Sequence, residues 1–445
     1  EPAPRVRTPG AYAGGSNSAR CCMSKSTRLE RRWKEFAPSG WLARLGRETG
    51  FTKRKRKQTS TRFFWVLVLG LVAEGARTFR GLARFFTATT GVELTDSAVQ
   101  ERITPAAAEF MRRAYDGVIG RALCRVGAEL KGVLARFRDV SAFDSTVLRL
   151  RDFLKKKFPG SRTNHTKAAA KLHVVMSLKK AQVEQALLTA ERVNDRKGVE
   201  VGPWAKARLL LFDLGYFSWA LFGKIRSEGG YFISRMKSGC NGVVKKVRKG
   251  MRGPVGSIGR KFKECIPQGP VSDFDAEYGQ GRKRLTLRTV CVYDPRTREE
   301  HWYLTNLPPS KFSPEEVAEL YRLRWQVELL FLELKSELAL DDLRSKREEV
   351  VRCFIYAALI ALVLSRFLCA EAARWGRKDM GAMVPRIATK ILRVMAAKLA
   401  EGILGHDLSA LAATLERILE TIAVHAIEPN PGRPGALRRR LRPGR

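Results

Sequence analysis

SPEEVAELYRLRWQVELLFLELK, residues 313–335, is the stretch of this 445-residue chain from which the rest can be read. Ser313 is a natural N-cap, Pro314 suits a first helical turn, and Glu316 completes a capping box. Phe312 with Val317 makes a hydrophobic staple, so the spacing predicts a helix starting near Pro314. Along it lie Tyr321, Arg324, Glu328 and Lys335. At about 100° per residue these four fall within roughly 60° of one another, so a phenol, two cations and one acid project from one stripe. Trp325, about 40° from Tyr321 on the same wheel, can stack on a base or serve the core. Glu319, Glu333 and Glu337 point the other way and read as solvated surface. Ion pairs along any charged helix use the same spacings, so the stripe needs partners from elsewhere.

Two carboxylates supply them. Asp144 directly follows an apolar strand at 140–143, with another strand at 147–150, and Asp213 ends a buried strand at 208–212. Gly215 then allows a tight turn into a helix over 217–228. Either Asp alone reads as a helix cap, but ligands collect at the carboxyl ends of strands in α/β sheets. Phosphoryl transfer on a nucleic acid strand needs an activated oxygen and neutralisation of the charge that builds at phosphorus. Two divalent ions about 3.5–4 Å apart supply both. Magnesium takes carboxylates and substrate phosphate and does not require His or Cys. Three acids on separate elements can hold such a pair, with the cations of the stripe gripping phosphates beside them.

Charge points to the same substrate. Lys and Arg number 83 against 44 Asp and Glu, a net charge of +39, which calls for a polyanionic partner, nucleic acid first. The apolar runs 63–69 and 353–364 fall short of the roughly 20 residues of a spanning helix, so no membrane is expected and both read as buried helices. Eight cysteines, at 21, 22, 124, 240, 265, 291, 353 and 369, form no C-x-x-C pair and read as reduced thiols of a cytoplasmic protein. His165, His173, His301, His406 and His425 are dispersed without a zinc pattern, although His173, on the strand after Asp144, lies where it can approach the site. There is no phosphate-binding loop of the ATPase type.

Length suggests about three units. Residues 1–22, rich in Pro, Gly and Ser, read as an extension or tail without the apolar core of a signal peptide. The run Lys53-Arg54-Lys55-Arg56-Lys57 is either a solvated linker or a phosphate contact. Residues 63–115 are helical. A helix at 81–89, the turn Thr90-Gly91 and a capping box from Ser97 to Gln100 fit a helix-turn-helix or an ordinary three-helix bundle. Strands at 171–178 and 183–190 should pair antiparallel, and another follows at 231–236. Residues 239–305 read as mostly β, and the chain is then helical to about 425. The C-terminal helices, 347–425, are candidates for contact between copies, since 354–364 is apolar around most of a helix. The Pro, Gly and Arg tail at 429–445 lacks the apolar content to fold.

Asp144-Ser145-Thr146, then Asp213-Leu214-Gly215-Tyr216, then Tyr321-x2-Arg324-x3-Glu328-x6-Lys335 resembles the IS4 family of DDE transposases, whose signature is that tyrosine, arginine, glutamate and lysine at that spacing. The resemblance covers roughly residues 60–375, with Leu214 standing where family members often carry Arg. It implies an α/β fold with an RNase H-like catalytic core, a mostly β insertion and helical flanks. The divisions are 1–57, a flexible basic segment; 58–135, helical and DNA-binding; 136–238, the first part of the core; 239–305, the insertion; 306–345, the last part with the glutamate helix; 346–428, helical; and 429–445, a basic tail.

The resemblance further implies cut-and-paste transposition of an insertion sequence, with Asp144, Asp213 and Glu328 binding two Mg2+ ions that Mn2+ can replace. Tyr321, Arg324 and Lys335 would contact phosphates of the transposon end. The partners would be double-stranded DNA, as terminal inverted repeats and as target, and a second copy in a synaptic dimer. A cytoplasmic, nucleoid-associated enzyme is the expectation. The alternative is a transposase-derived DNA-binding regulator that does not cut.

Overall fold

A computed structural model of the chain describes residues 32–54, 59–74, 78–123, 132–161, 167–252, 257–281, 284–295, 297–341 and 343–427. Residues 1–22, Lys55 to Lys57 of the basic run, His165 and the 429–445 tail lie outside them.

After a helical stretch at 32–36 come α1 (Ser39–Glu48), α2 (Ser60–Glu74), α3 (Phe79–Thr90), α4 (Asp96–Arg102) and α5 (Pro105–Leu123). Gly91 stops α3 in a left-handed conformation at φ 66°. Helix α4 begins earlier than Ser97. Thr95 is its cap, accepting a hydrogen bond from the Ala98 N–H, and this puts the Asp96 carboxylate in the first turn, where the helix dipole favours it.

Among the described residues the strands form one nine-stranded mixed sheet and a two-stranded ribbon. In chain order they are β1 (Asp139–Arg149), β2 (Ala169–Ser177), β3 (Gln182–Ala190), β4 (Arg208–Phe212), β5 (Tyr231–Arg235), β6 (Val243–Lys249), β7 (Met251–Arg252), β8 (Ile266–Pro267), β9 (Val271–Tyr278), β10 (Leu285–Asp294) and β11 (Glu299–Thr305). The sheet order is β3-β2-β1-β4-β5-β11-β10-β9-β6, and β7 pairs with β8 alone. Strands β1 to β3 form an antiparallel meander, β4 runs parallel to β1, and β5 runs parallel to β4. The later strands extend the same sheet antiparallel from β5 outward. Helix α6 (Trp219–Ser227) makes the crossover from β4 to β5.

One reading of the sequence is corrected here. Residues 140–150 are not two strands flanking Asp144 but one, and Asp144 lies inside it opposite Val174 of β2. The two strands part because β4 ends first: the β1–β4 register stops at Phe143 opposite Phe212. Asp144 and Asp213 are thus the next residues along two adjacent parallel strands.

Alternation fixes which way they face. Val140, Ala142, Leu209 and Leu211 belong to one core, and Phe143, Leu210 and Phe212 to another on the opposite side of the sheet with Phe222, Phe232 and Phe274. Each such side chain contributes about 1.5–3 kcal/mol on burial. Asp144 and Asp213 are two residues beyond Ala142 and Leu211, so both carboxylates emerge on the first of these faces. That face is covered by α7 (Pro314–Arg322) and α8 (Trp325–Ser336).

The chain ends in α9 (Glu348–Trp375), α10 (Pro385–Leu404) and α11 (Leu408–His425). Helix α9 is long and apolar enough to cross a membrane, with mean hydropathy 2.2 over its best window, yet that window is wholly buried in the chain. It packs on α2, α5, α10 and α11. Neighbouring helices of the same chain already cover residues 354–364, so their apolar character does not itself mark a surface for a second copy. The five cysteines within the described residues are buried and unpaired.

Glu333 corrects the reading of a solvated face. It is 2% exposed, accepts two bonds from the Arg366 guanidinium of α9 at 2.8 and 2.6 Å, and accepts another from the Thr389 hydroxyl of α10. Arg366 also donates to the Ala181 carbonyl between β2 and β3. Removing one partner of such a pair strands a buried charge. Arg366→Ala should cost about 3–5 kcal/mol in urea unfolding, whereas Glu333→Leu combined with Arg366→Met should restore most of it. Equal losses for the single and double replacements would contradict this account.

Candidate active site

The capping box forms: the Ser313 hydroxyl accepts from the Glu316 N–H at 3.1 Å and the Glu316 carboxylate accepts from the Ser313 N–H at 2.8 Å. The helix it starts is not continuous. The backbone tightens between α7 and α8, where Arg324 N–H donates to Tyr321 and Val327 N–H to Arg324, three residues apart. At three residues per turn, Tyr321 and Arg324 eclipse one another. The single stripe becomes two short helices with Arg324 at their junction.

That junction aims three groups at the sheet. The Tyr321 hydroxyl donates to the Phe212 carbonyl at 3.2 Å, which ties α7 to the last residue of β4 before Asp213. Arg324 donates to the Asp144 carboxylate at 2.8 Å, and its other terminal nitrogen donates to Glu328 one turn on. The guanidinium thus bridges acids 184 residues apart in the chain. Among the described residues its Nε, which is buried, has no hydrogen-bond partner.

The electrostatics show how crowded the acids are. Burial raises the Asp144 pKa to about 6; the Ser145 N–H and Arg324 hold it down, and the carboxylates of Asp213 and Glu328 push it up. Both acids are therefore within charge range of Asp144. Among the described residues no three His, Cys, Asp or Glu side chains already stand close enough to coordinate an ion. The cation between Asp144 and Glu328 is Arg324. The donor set is all oxygen and under-compensated, which fits a hard divalent ion in kind.

Residues 135–364, more than half of the chain, match the family model described as a transposase DDE domain. The chain belongs to the DDE transposases.

Among related proteins, the transposase for insertion sequence element IS231B of Bacillus thuringiensis subsp. berliner is 23% identical over 379 residues, 76% of this chain and 78% of that one. A putative transposase InsL for element IS186A of Escherichia coli K12 is 52% identical over 61 residues, 14% of this chain and 16% of that one. A piggyBac transposase synaptic complex with hairpin DNA overlaps 89% of this chain and 85% of that one, at TM-score 0.47 and 14% identity. This DDE transposase is an enzyme that cleaves DNA and transfers strands with divalent metal.

The other residues singled out in the sequence occupy different environments. Lys335 is half-buried two turns beyond Glu328 on the same side of α8, and Trp325 is 54% exposed. Tyr321 is 7% exposed, and its hydroxyl donates to the backbone. His173 is buried, bonded to Thr189 at 2.9 Å and Tyr216 at 3.4 Å, on the sheet face opposite Asp144. Sequence reasoning missed Ser145, whose N–H donates to Asp144 at 2.8 Å, and Asp195, which accepts from the Ser145 hydroxyl at 2.9 Å. Adjacency to Asp144 was the only signal for Ser145, and nothing marked Asp195.

A pH test follows from Asp144. Its folded pKa lies above the roughly 3.9 of an unfolded Asp, so the native state binds the extra proton between about pH 4 and 6 and loses stability as pH rises through that window. Asp144→Asn should remove that slope and gain about 3 kcal/mol on wild type between pH 4 and 7 in urea unfolding. Parallel pH curves for the two proteins would rule this out.

Proposed function

We propose that this transposase works as the IS4 family does, with Asp144, Asp213 and Glu328 holding two Mg2+ ions, for which Mn2+ can substitute, on an RNase H-like core. The observation that carries this is the convergence of Asp144 and Glu328 on one guanidinium, with Asp213 in register beside Asp144. A meander followed by two parallel strands, in the order β3-β2-β1-β4-β5, supports the RNase H-like reading.

Bound there, the ions would activate the attacking oxygen and stabilise the leaving oxygen. The protein's own part is to place charge. Asp144 and Asp213 present carboxylates from rigid strand ends, and Glu328 closes the set from α8. Arg324, released from Asp144 and Glu328, is placed to grip the phosphate next to the scissile bond. Lys335 extends that grip along the same side of α8, and Trp325 offers an exposed face for a base. Tyr321 acts on the strand end of Asp213 through Phe212 rather than on DNA.

Around this core we assign the helical region 58–135 to recognition of the terminal inverted repeats, residues 239–305 to an insertion that extends the sheet, and the active form to a homodimer pairing two ends. The setting is the cytoplasm, on nucleoid DNA. The net charge of +39 supports a DNA-bound state and strong dependence on salt.

The decisive comparison is Glu328→Gln against wild type on DNA carrying the element's ends. Cleavage in Mg2+ should fall at least about a thousandfold, as for loss of a group acting only in the transition state, while end binding in Ca2+ stays within twofold. Full cleavage by the variant would overturn the assignment, and wild type that binds ends without cutting would favour a regulator. Arg324→Ala should weaken binding to cleaved ends more than to random duplex; equal losses on both would remove its assigned role.

A further inference from the structure

Asp195 lies outside the three signature acids, in a short 3-10 turn at Asp195–Gly198 between β3 and β4. One carboxylate oxygen accepts from the Ser145 hydroxyl at 2.9 Å and pairs with Lys171 at 3.2 Å, with His173 Nδ1 at 3.7 Å. The other oxygen lies against the backbone after Asp213: a Cβ on Gly215 would meet it at 2.6 Å. Ser145 in turn donates its backbone N–H to Asp144. A single side chain therefore touches the residue that holds the Asp144 carboxylate and the turn that follows Asp213. A Cβ at 215 would force that carboxylate to move.

We infer that Asp195 is a positioning residue that sets the relative placement of the Asp144 and Asp213 carboxylates for divalent metal. The inference rests on the metal reading of those two acids. Its logic is that of any carboxylate that orients a metal ligand from behind, where loss typically weakens affinity about 10–100-fold. The link to Asp144 is one bonded chain, from the Asp195 carboxylate through the Ser145 hydroxyl and Ser145 N–H. The link to Asp213 is steric, through the bare Cα of Gly215. Lys171 balances the added charge, and so Asp195 does not compete with the signature acids for an ion.

The test is Mn2+ titration of the full-length chain, read by loss of the free-ion EPR signal, for wild type, Asp195→Asn, Gly215→Ala and Asp213→Asn, each checked for native circular dichroism. Asp195→Asn should raise the Mn2+ Kd about tenfold. Gly215→Ala keeps every charge but displaces the carboxylate, and should raise Kd in the same direction; it carries the test alone if Asp195→Asn fails to fold. A role in stability only would lower the urea midpoint and leave the Kd of the folded chain within twofold of wild type, which overturns the inference while Asp213→Asn still loses metal. If wild type binds no Mn2+, or Asp213→Asn binds it as wild type does, the metal reading itself falls and this inference with it.

Discussion

A guanidinium clasped between two carboxylates organises this molecule's working face. Asp144 and Glu328 come from opposite ends of the domain and carry the same charge, and Asp213 adds a third. Bringing them together in a half-buried place without a cation would be prohibitive, because each desolvated anion raises the cost of the next. Arg324 offsets part of that cost in the folded protein, and the raised pKa of Asp144 marks what is left. It also means that any ion drawn to the acids competes with Arg324 for the same oxygen lone pairs, and that the cation displaced is a residue suited to phosphate. Charge neutralisation and substrate grip are coupled through one side chain.

The scaffold makes the clasp possible by simple devices. Alternation along two parallel strands sends both aspartates to one face, and the earlier end of β4 leaves Asp213 at the edge of the pairing. The Tyr321 hydroxyl fastens the covering helix to that same strand end. The pair of Glu333 and Arg366 fastens α8 to α9, itself enclosed by the helical bundle. Rigid elements thus hold each acid.

Much of this was legible in the sequence. The capping box, the buried strand before Asp213 and the spacing from Tyr321 to Lys335 identified the elements and the acids, since those signals are local. What the sequence concealed depends on contacts between distant segments. Period alone cannot tell a solvated Glu333 from one matched to an arginine 33 residues away. It cannot show that an apolar helix such as α9 is enclosed by its own chain rather than by a partner. The break at Arg324 was equally hidden, because one tightened turn still keeps residues three apart on the same side of the helix. Asp195 was invisible because only the fold carries it to Ser145 and Gly215.

The register of Phe143 opposite Phe212 carries one more implication. Side chains on neighbouring strands swap sides with every single step, so the chemistry of this face is tied to the parity of the count along β1 and β4. Losing or gaining one residue before Asp213 would turn its carboxylate toward the aromatic layer beneath, while a shift of two would keep its side and move it along the strand. The loops that join these strands carry no such constraint, whereas the few residues between the paired core positions and the two aspartates fix which face the site occupies.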